Sequence, residues 1–424
     1  MTQTVGWKYS IWLILVVAFA IRLVLAFGVQ HIVQQPPGRL CLISGDAESY
    51  WELAEKIAAG EDYAYGTPPR RVMRMPGFPL LLALPRFLFG DNPLATRLLL
   101  VLVGTLGCGL TYRLGCQLFG MTEGLLAALY TAVSPSMALF SVLFLSETAF
   151  AVSMVASLIA AARLVRLNAG ITLRQTIWLA TVTGVMIGVA TYMRPTWILV
   201  GPGLGVLYLM LGKPSVKIRL IAAATLMVGL AVTLAPWTIR NANVTGHFVP
   251  TTLWVGPSLY DGLNPFAKGD SDMDFFDQDQ LMAKEKMSEY EMDHEYRRRA
   301  WAFVAEFPIR TAWLAMIKQS RYWSPTPNAD QFSGVLLEIV GWTAFLPLIL
   351  FGLLGAWVVR RDPWLLILTT APIFYFAAIH LLFVGSVRYR LPAEYPLAVL
   401  SAVGVCQMFQ LGNKRESQQA IEQR

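Results

Sequence analysis

Ile11-Trp12-Leu13-Ile14-Leu15-Val16-Val17-Ala18-Phe19-Ala20-Ile21-Arg22-Leu23-Val24-Leu25-Ala26-Phe27-Gly28-Val29 is an apolar run broken by a single charge, Arg22. About 20 apolar residues cross the hydrocarbon core as a helix, whereas a run of 10–14 is more often interfacial or buried. The stretch is therefore read as a membrane span. Further windows of the same kind lie near 94–113, 121–140, 146–165, 175–193, 195–211, 219–237, 334–358, 363–384 and 391–411. Ten helices of this type predict an all-α polytopic integral membrane protein, with residues 1–424 forming a single membrane domain. Composition agrees: 55% of the chain is hydrophobic and only 14% charged, against about 25% charged in a soluble domain. Arg22, inside a span, needs a partner or must snorkel to an interface.

The run from Phe78 to Phe89 is shorter and carries Pro79, Pro85 and Arg86, which places it on the membrane surface. That assignment also fixes the orientation. With Lys8 on the cytoplasmic side, the cytoplasmic turns carry Arg113; Arg163, Arg166 and Arg174; Lys213, Lys217 and Arg219; Arg360 and Arg361; and Lys414 and Arg415. This is the basic bias expected of inside loops, and counting 78–89 as a span would reverse it. Both termini are then cytoplasmic, and the first segment reads as a signal anchor. The formal charge of +7 is thus largely topological. No nucleic-acid signature is present.

Two long polar stretches remain outside, a first loop at 30–93 and a second at 238–333. In the first, Asp46 to Ala59 reads as a short helix closed by Gly60. In the second, Gln280 to about Trp323 reads as amphipathic helices broken at Pro308, with Trp301, Phe303, Phe307, Trp313, Tyr322 and Trp323 suited to an interface. Both loops are expected to lie as lids on the external face. Cys41 is alone among the four cysteines in facing that side, so no intramolecular disulfide is expected.

Several groups could carry chemistry. Asp46 and Tyr50 are four apart and share a helix face. A carboxylate there could take the proton of an attacking hydroxyl, or Asp46 could simply be the N-cap of its helix. Arg70, Arg71, Arg74, Arg194, Arg240, Arg388 and Arg390 stand at external ends of spans, against the basic-inside trend. Converging arginines would bind phosphate bidentately and stabilise charge on a phosphate leaving group. Singly, each could snorkel or hold a lipid head group. Glu147 opens a span, where it either complements the helix N-terminus or serves as an acceptor-binding or arginine-pairing carboxylate. The run Gly269 to Asp279 alternates aspartates but lacks the glycine and glutamate of a calcium loop, so it reads as a solvated loop. The four histidines show no zinc spacing.

The order of these elements resembles the polytopic C-type glycosyltransferases that use polyprenyl-phosphate sugars, near the protein mannosyltransferases and the lipid A aminoarabinose transferases. The marks are Asp46 with Tyr50 after the first span, Arg74-Met75-Pro76-Gly77-Phe78-Pro79, Leu118-Phe119-Gly120, Ser134-Pro135, Ser146-Glu147, Arg194-Pro195, Pro236-Trp237-Thr238-Ile239-Arg240-Asn241 and Arg388-Tyr389-Arg390-Leu391-Pro392. The resemblance implies an inverting transfer on the external face of a bacterial inner membrane. Asp46 would act as base or acceptor-positioning carboxylate and Glu147 as a second acidic residue. Arg74, Arg240, Arg388 and Arg194 would hold the donor phosphate, and Tyr50 and Arg390 would position substrate. The partners implied are a polyprenyl-phosphate-sugar donor, a glycan, lipid or protein acceptor, and membrane lipid, with no nucleic acid. A divalent metal is compatible with the sequence but not demanded by it, and no metal ligands are assigned. The chain departs from the mannosyltransferases in having Asp46 and Glu48 separated by Ala47. A lipid-linked-sugar flippase or a non-catalytic envelope-assembly subunit would share the external arginines.

Overall fold

The computed structural model describes residues 3–36, 38–43, 45–167, 172–326 and 334–411. Ser44, Lys414 and Arg415 lie outside them. The described residues are helical, and strand pairing among them is confined to one bridge between Tyr65 and Arg70. The chain runs α1 (Gln3–Gln34), α2 (Asp46–Ala59), α3 (Gly77–Phe89), α4 (Pro93–Leu118), α5 (Met121–Val133), α6 (Pro135–Phe140), α7 (Glu147–Val165) and α8 (Leu173–Met193). A 3-10 turn (Pro195–Leu199) leads into α9 (Val200–Leu211) and α10 (Val216–Thr245). The short α11 (Val255–Gly262), α12 (Asp274–Asp279) and α13 (Leu281–Lys284) precede α14 (Glu289–Glu306) and α15 (Pro308–Trp323). Three apolar helices close the chain: α16 (Val335–Val359), α17 (Pro363–Ile379) and α18 (Val387–Phe409).

Six of these, within α1, α4, α7, α8, α10 and α16, are long and apolar enough to cross a membrane, and the protein is an integral membrane protein. The other four expected spans also coincide with helices. The 121–140 window divides into α5 and α6 because Pro135 lacks an N–H and cannot continue the ladder. That break frees the carbonyls of Thr131 and Ala132, and Arg22 satisfies them: Nη2 donates to Thr131 O at 2.9 Å and Nη1 to Ala132 O at 3.1 Å. The charge in the first span is thus the partner of an interrupted helix rather than a snorkelling group.

Where spans approach most closely, glycine permits it. A Cβ on Gly184 of α8 would lie 2.0 Å from Leu226 O of α10, and one on Gly229 would lie 2.5 Å from Thr181 O. Small residues allow the backbones to approach where hydrophobicity offers no drive between helices in lipid.

The two polar stretches meet at one end of the bundle. There α2 ends at Gly60, which takes the left-handed conformation. The helix α3 occupies the short apolar window placed at the surface. The second stretch breaks at Pro308, the first residue of α15, as its sequence predicts. Along α15, Leu314, Lys318 and Tyr322 are buried while Ile309, Trp313 and Met316 are exposed. This is the pattern of a helix with one face on the protein and an apolar face left for lipid.

Candidate active site

Gly45, with φ 84°, turns the chain sharply into α2 and stands at the N-cap position, so Asp46 is the first helical residue. No side chain caps this helix. The Asp46 carboxylate is instead shared between two arginines: Oδ1 accepts from Arg74 Nη2, and Oδ2 from Arg388 Nη2 at 2.5 Å. Arg388 comes from the first turn of α18, where Ser386 Oγ caps its backbone N–H. Its Nε turns the other way and donates to Glu147 Oε1. Glu147 is wholly buried at the start of α7 and also accepts from Arg194 Nη2 at 2.9 Å. Five charges therefore form one chain, Arg74–Asp46–Arg388–Glu147–Arg194, drawn from five separate regions of the sequence.

Neighbouring groups fix its members. Arg74 Nε donates to Ser49 Oγ at 3.3 Å, and the Arg74 guanidinium sits 5.2 Å from the centre of the Tyr50 ring. The Tyr50 hydroxyl lies 3.4 Å from Ser146 Oγ, beside Glu147. Tyr389 stacks on His380 with ring centres 4.4 Å apart, and Arg194 lies over the same tyrosine at 5.3 Å. Burial pushes the Asp46 carboxyl up, but the two guanidiniums outweigh it and hold it well below the usual carboxylate range.

Asp46, Tyr50, Arg74, Arg194 and Arg388 line a cavity of about 900 Å³ between the bundle and the polar stretches. Its opposite wall belongs to the second stretch and includes Trp254 and Phe276. Arg70 stands there with its guanidinium 5.2 Å from the ring centres of Tyr65, Trp254 and Phe276. Among the described residues no carboxylate lies within ion-pair distance of Arg70. Asp261 also reaches this wall, accepting from Ser271 Oγ at 2.7 Å and Asp272 N at 2.8 Å, and burial pushes its carboxyl up to about 6.

Two expected phosphate or substrate contacts stand elsewhere. Arg240 spends its donors on backbone: Nη1 on Arg71 O at 2.6 Å and Nη2 on Tyr63 O at 3.2 Å. Arg390 is buried, paired with Glu394 at 2.7 Å, and donates to Tyr322 O at 2.6 Å and Ser324 O at 2.7 Å. Both tie elements together, and neither lines the cavity. Their positions at helix ends look alike in sequence, because what separates them is the direction of the side chain. Conversely, the aspartate-rich run is more than a solvated loop. Phe276 and Asp277 reach the cavity wall, while Asp279 binds Arg299 at 2.7 Å. The aromatic residues interleaved with the aspartates were the signal for that role. Among the described residues no three His, Cys, Asp or Glu side chains group closely enough to hold a metal ion.

Residues 73–239 match the family model described as dolichyl-phosphate-mannose-protein mannosyltransferase. The matched segment begins beside Arg74 and ends just before Arg240. No curated protein sequence matches the chain. Among solved structures, the Archaeoglobus fulgidus oligosaccharyltransferase AglB, in complex with an inhibitory peptide and a dolichol-phosphate, superposes with a TM-score of 0.60 at 14% identity, covering 98% of this chain and 52% of its own. The apo form of the Archaeoglobus fulgidus oligosaccharyltransferase gives 0.59 at 17% identity, with the same coverage. The chain therefore spans about half the length of these enzymes. ArnT from Cupriavidus metallidurans bound to undecaprenyl phosphate gives 0.42 at 15% identity, covering 94% of this chain and 77% of that one. Residues 73–239 are thus similar to that mannosyltransferase family, and nearly the whole chain shares the fold of the Archaeoglobus fulgidus oligosaccharyltransferase.

Proposed function

We propose that this protein transfers a sugar from a polyprenyl-phosphate donor to an acceptor hydroxyl at the external face of a membrane, with inversion at the anomeric carbon. The two polar stretches, 30–93 and 238–333, act as lids of a single membrane domain. The observation that carries the reading is the placement of Asp46 between Arg74 and Arg388 on the wall of a cavity where the bundle meets both stretches. The donor's lipid tail stays in the bilayer while its phosphate meets Arg388, Arg74 and Arg194. The acceptor oxygen attacks the anomeric carbon and forms the new glycosidic bond. The bond from that carbon to the phosphate oxygen breaks, and polyprenyl phosphate leaves with the bonding pair. Asp46 takes the acceptor's proton.

A carboxylate held by two arginines is a weak base, which gives the donor phosphate a second task. As a competing anion it draws guanidinium charge from Asp46, so proton affinity at Asp46 rises when donor is in place. Arg388, shared between Asp46 and Glu147, is the residue best placed to turn toward the leaving group. Arg240 and Arg390 serve the framework in this scheme. The acceptor's class, whether glycan, lipid or protein, is set by the wall containing Trp254 and Phe276.

The test is consumption of labelled polyprenyl-phosphate sugars by the purified chain, with extracts supplying acceptors. Release of polyprenyl phosphate together with labelled product supports the transferase. Saturable binding of donor with no consumption by any member of the panel would move the assignment to transport.

A further inference from the structure

Arg74 reaches Asp46 from a stretch with no regular structure of its own, residues 71–76. What fixes its path lies elsewhere in the chain. Glu289, the first residue of α14, accepts the Arg71 N–H on Oε2 at 2.8 Å and reaches the Val72 N–H with both oxygens at 3.1 Å. Leu253 N donates to Val72 O at 2.9 Å, and Arg240 Nη1 to Arg71 O at 2.6 Å. All four backbone polar groups of Arg71-Val72 are thus held by α10 or the second polar stretch. The grip is anchored in turn, because Ser288 and Glu291 form a reciprocal capping box at the start of α14.

We propose that Glu289 is a positioning residue for the charged centre: by clasping the Arg71 and Val72 amides it sets the path that delivers Arg74 to Asp46 and Ser49, so the second polar stretch governs the geometry of a site built on the first. The effect on turnover rests on the transferase reading; the clasp itself does not.

The surroundings of Glu289 give the clasp a pH sign. Arg70 and Arg240 face it, Arg71 is paired with Asp62 at 2.6 Å on the outer side, and Tyr290 next to it stacks on His247. Burial outweighs the pull of the two amides and the two arginines and pushes the carboxyl up to about 7. The clasped state therefore holds the proton more tightly than an opened, hydrated Glu289 would. The proton's contribution to the clasp is fully present below the ordinary value of 4.5, is lost as pH rises from there to about 7, and is level above. A proton on Oε1 leaves the grip in place, since Oε2 alone reaches both amides.

Amide hydrogen exchange of the 70–76 segment in the purified full chain, corrected for intrinsic rates, tests this from about pH 4 to about 8. Glu289→Ala speeds exchange by roughly ten- to a hundredfold, the range set by losing the hydrogen bonds to two backbone amides. The wild type loses protection as pH rises from about 4.5 to about 7 and then levels off, and Glu289→Gln keeps protection without that slope. Wild-type exchange rates in Glu289→Ala, or a wild-type pH slope in Glu289→Gln, would overturn the proposal. If the alanine variant does not fold, the glutamine comparison decides. Turnover should follow protection across the same window in wild type and not in Glu289→Gln. Exchange behaving as described with no donor consumed leaves the clasp standing and removes the transferase reading, whereas turnover with pH-insensitive exchange removes the clasp alone.

Discussion

Arg388 Nη2 donates to Asp46 Oδ2 at 2.5 Å although 342 positions separate the two residues, and the Nε of the same guanidinium holds Glu147. One side chain from the last helix thus joins the carboxylate after the first span to the carboxylate opening α7. Glu147 has no exposure and is paired with both Arg388 and Arg194.

Arg388→Ala should therefore act twice. Leaving a buried carboxylate short of a partner costs about 3–5 kcal/mol, read as a lowered unfolding temperature. Loss of a positioned donor to the leaving phosphate should lower turnover by roughly 10²–10³. Arg388→Lys keeps the charge but lacks the fixed Nε and Nη2 fork that spans the two carboxylates, so it should recover stability more than turnover. Equal recovery of both would show that the bridge does not matter for the reaction.

Arg390 should behave differently although it lies two residues away. Its pair with Glu394 is buried and its remaining donors hold the carbonyls that end α15. Removing Arg390 alone leaves Glu394 uncompensated and should cost about 3–5 kcal/mol, while Arg390→Met with Glu394→Leu should recover part of that loss, the rest being the cost of the orphaned Tyr322 and Ser324 carbonyls. Donor affinity measured on the double variant should match wild type. A large loss of affinity there would return Arg390 to the site.

The approach of α8 to α10 gives a packing prediction. With a Cβ only 2.0 Å from Leu226 O, Gly184→Ala forces the helices apart. Overpacking of this kind costs about 1–3 kcal/mol, and a thermal unfolding series should show it. Gly203→Ala in α9, where a Cβ meets nothing within 4 Å, is the control and should leave the midpoint nearly unmoved.

The acid side has its own signature. The folded Asp46 carboxyl is held below its ordinary 3.8, so its contribution to stability is fully present above that value and is lost as pH falls toward the depressed one. The stability difference between wild type and Asp46→Asn should stay level from neutral pH down to about 5 and shrink only in stronger acid. A difference that already shrinks between pH 7 and 5 would mean that the two arginines do not hold this carboxylate as described.

These contrasts also mark what the sequence could convey. The spans were legible because helix formation in lipid depends on local apolar length, and the end of α2 at Gly60 is likewise a local signal, whereas the break at Pro135 inside the 121–140 window was read through. Asp46 read from its local sequence as a helix cap first and a reactive group second, because the residues that hold its carboxylate, Arg74 and Arg388, are distant in sequence. Arg240 and Arg390 looked like Arg388, an arginine at a helix end. Only the folded chain shows that their donors go to carbonyls or to a buried partner. Glu289 gave no signal at all, since a glutamate in the first turn of an amphipathic helix is ordinary and its hold on Arg71 and Val72 spans more than 200 positions.

In the proposed transfer Asp46 receives the acceptor's proton while Arg74 and Arg388 manage the phosphate. This assignment is tested most directly by comparing release of polyprenyl phosphate from a labelled donor by wild type and by Asp46→Asn, at matched folding and donor occupancy. Turnover should fall by roughly 10²–10⁴ in the variant, the usual contribution of a general base, with donor still bound. Turnover by Asp46→Asn within a few-fold of wild type would contradict it.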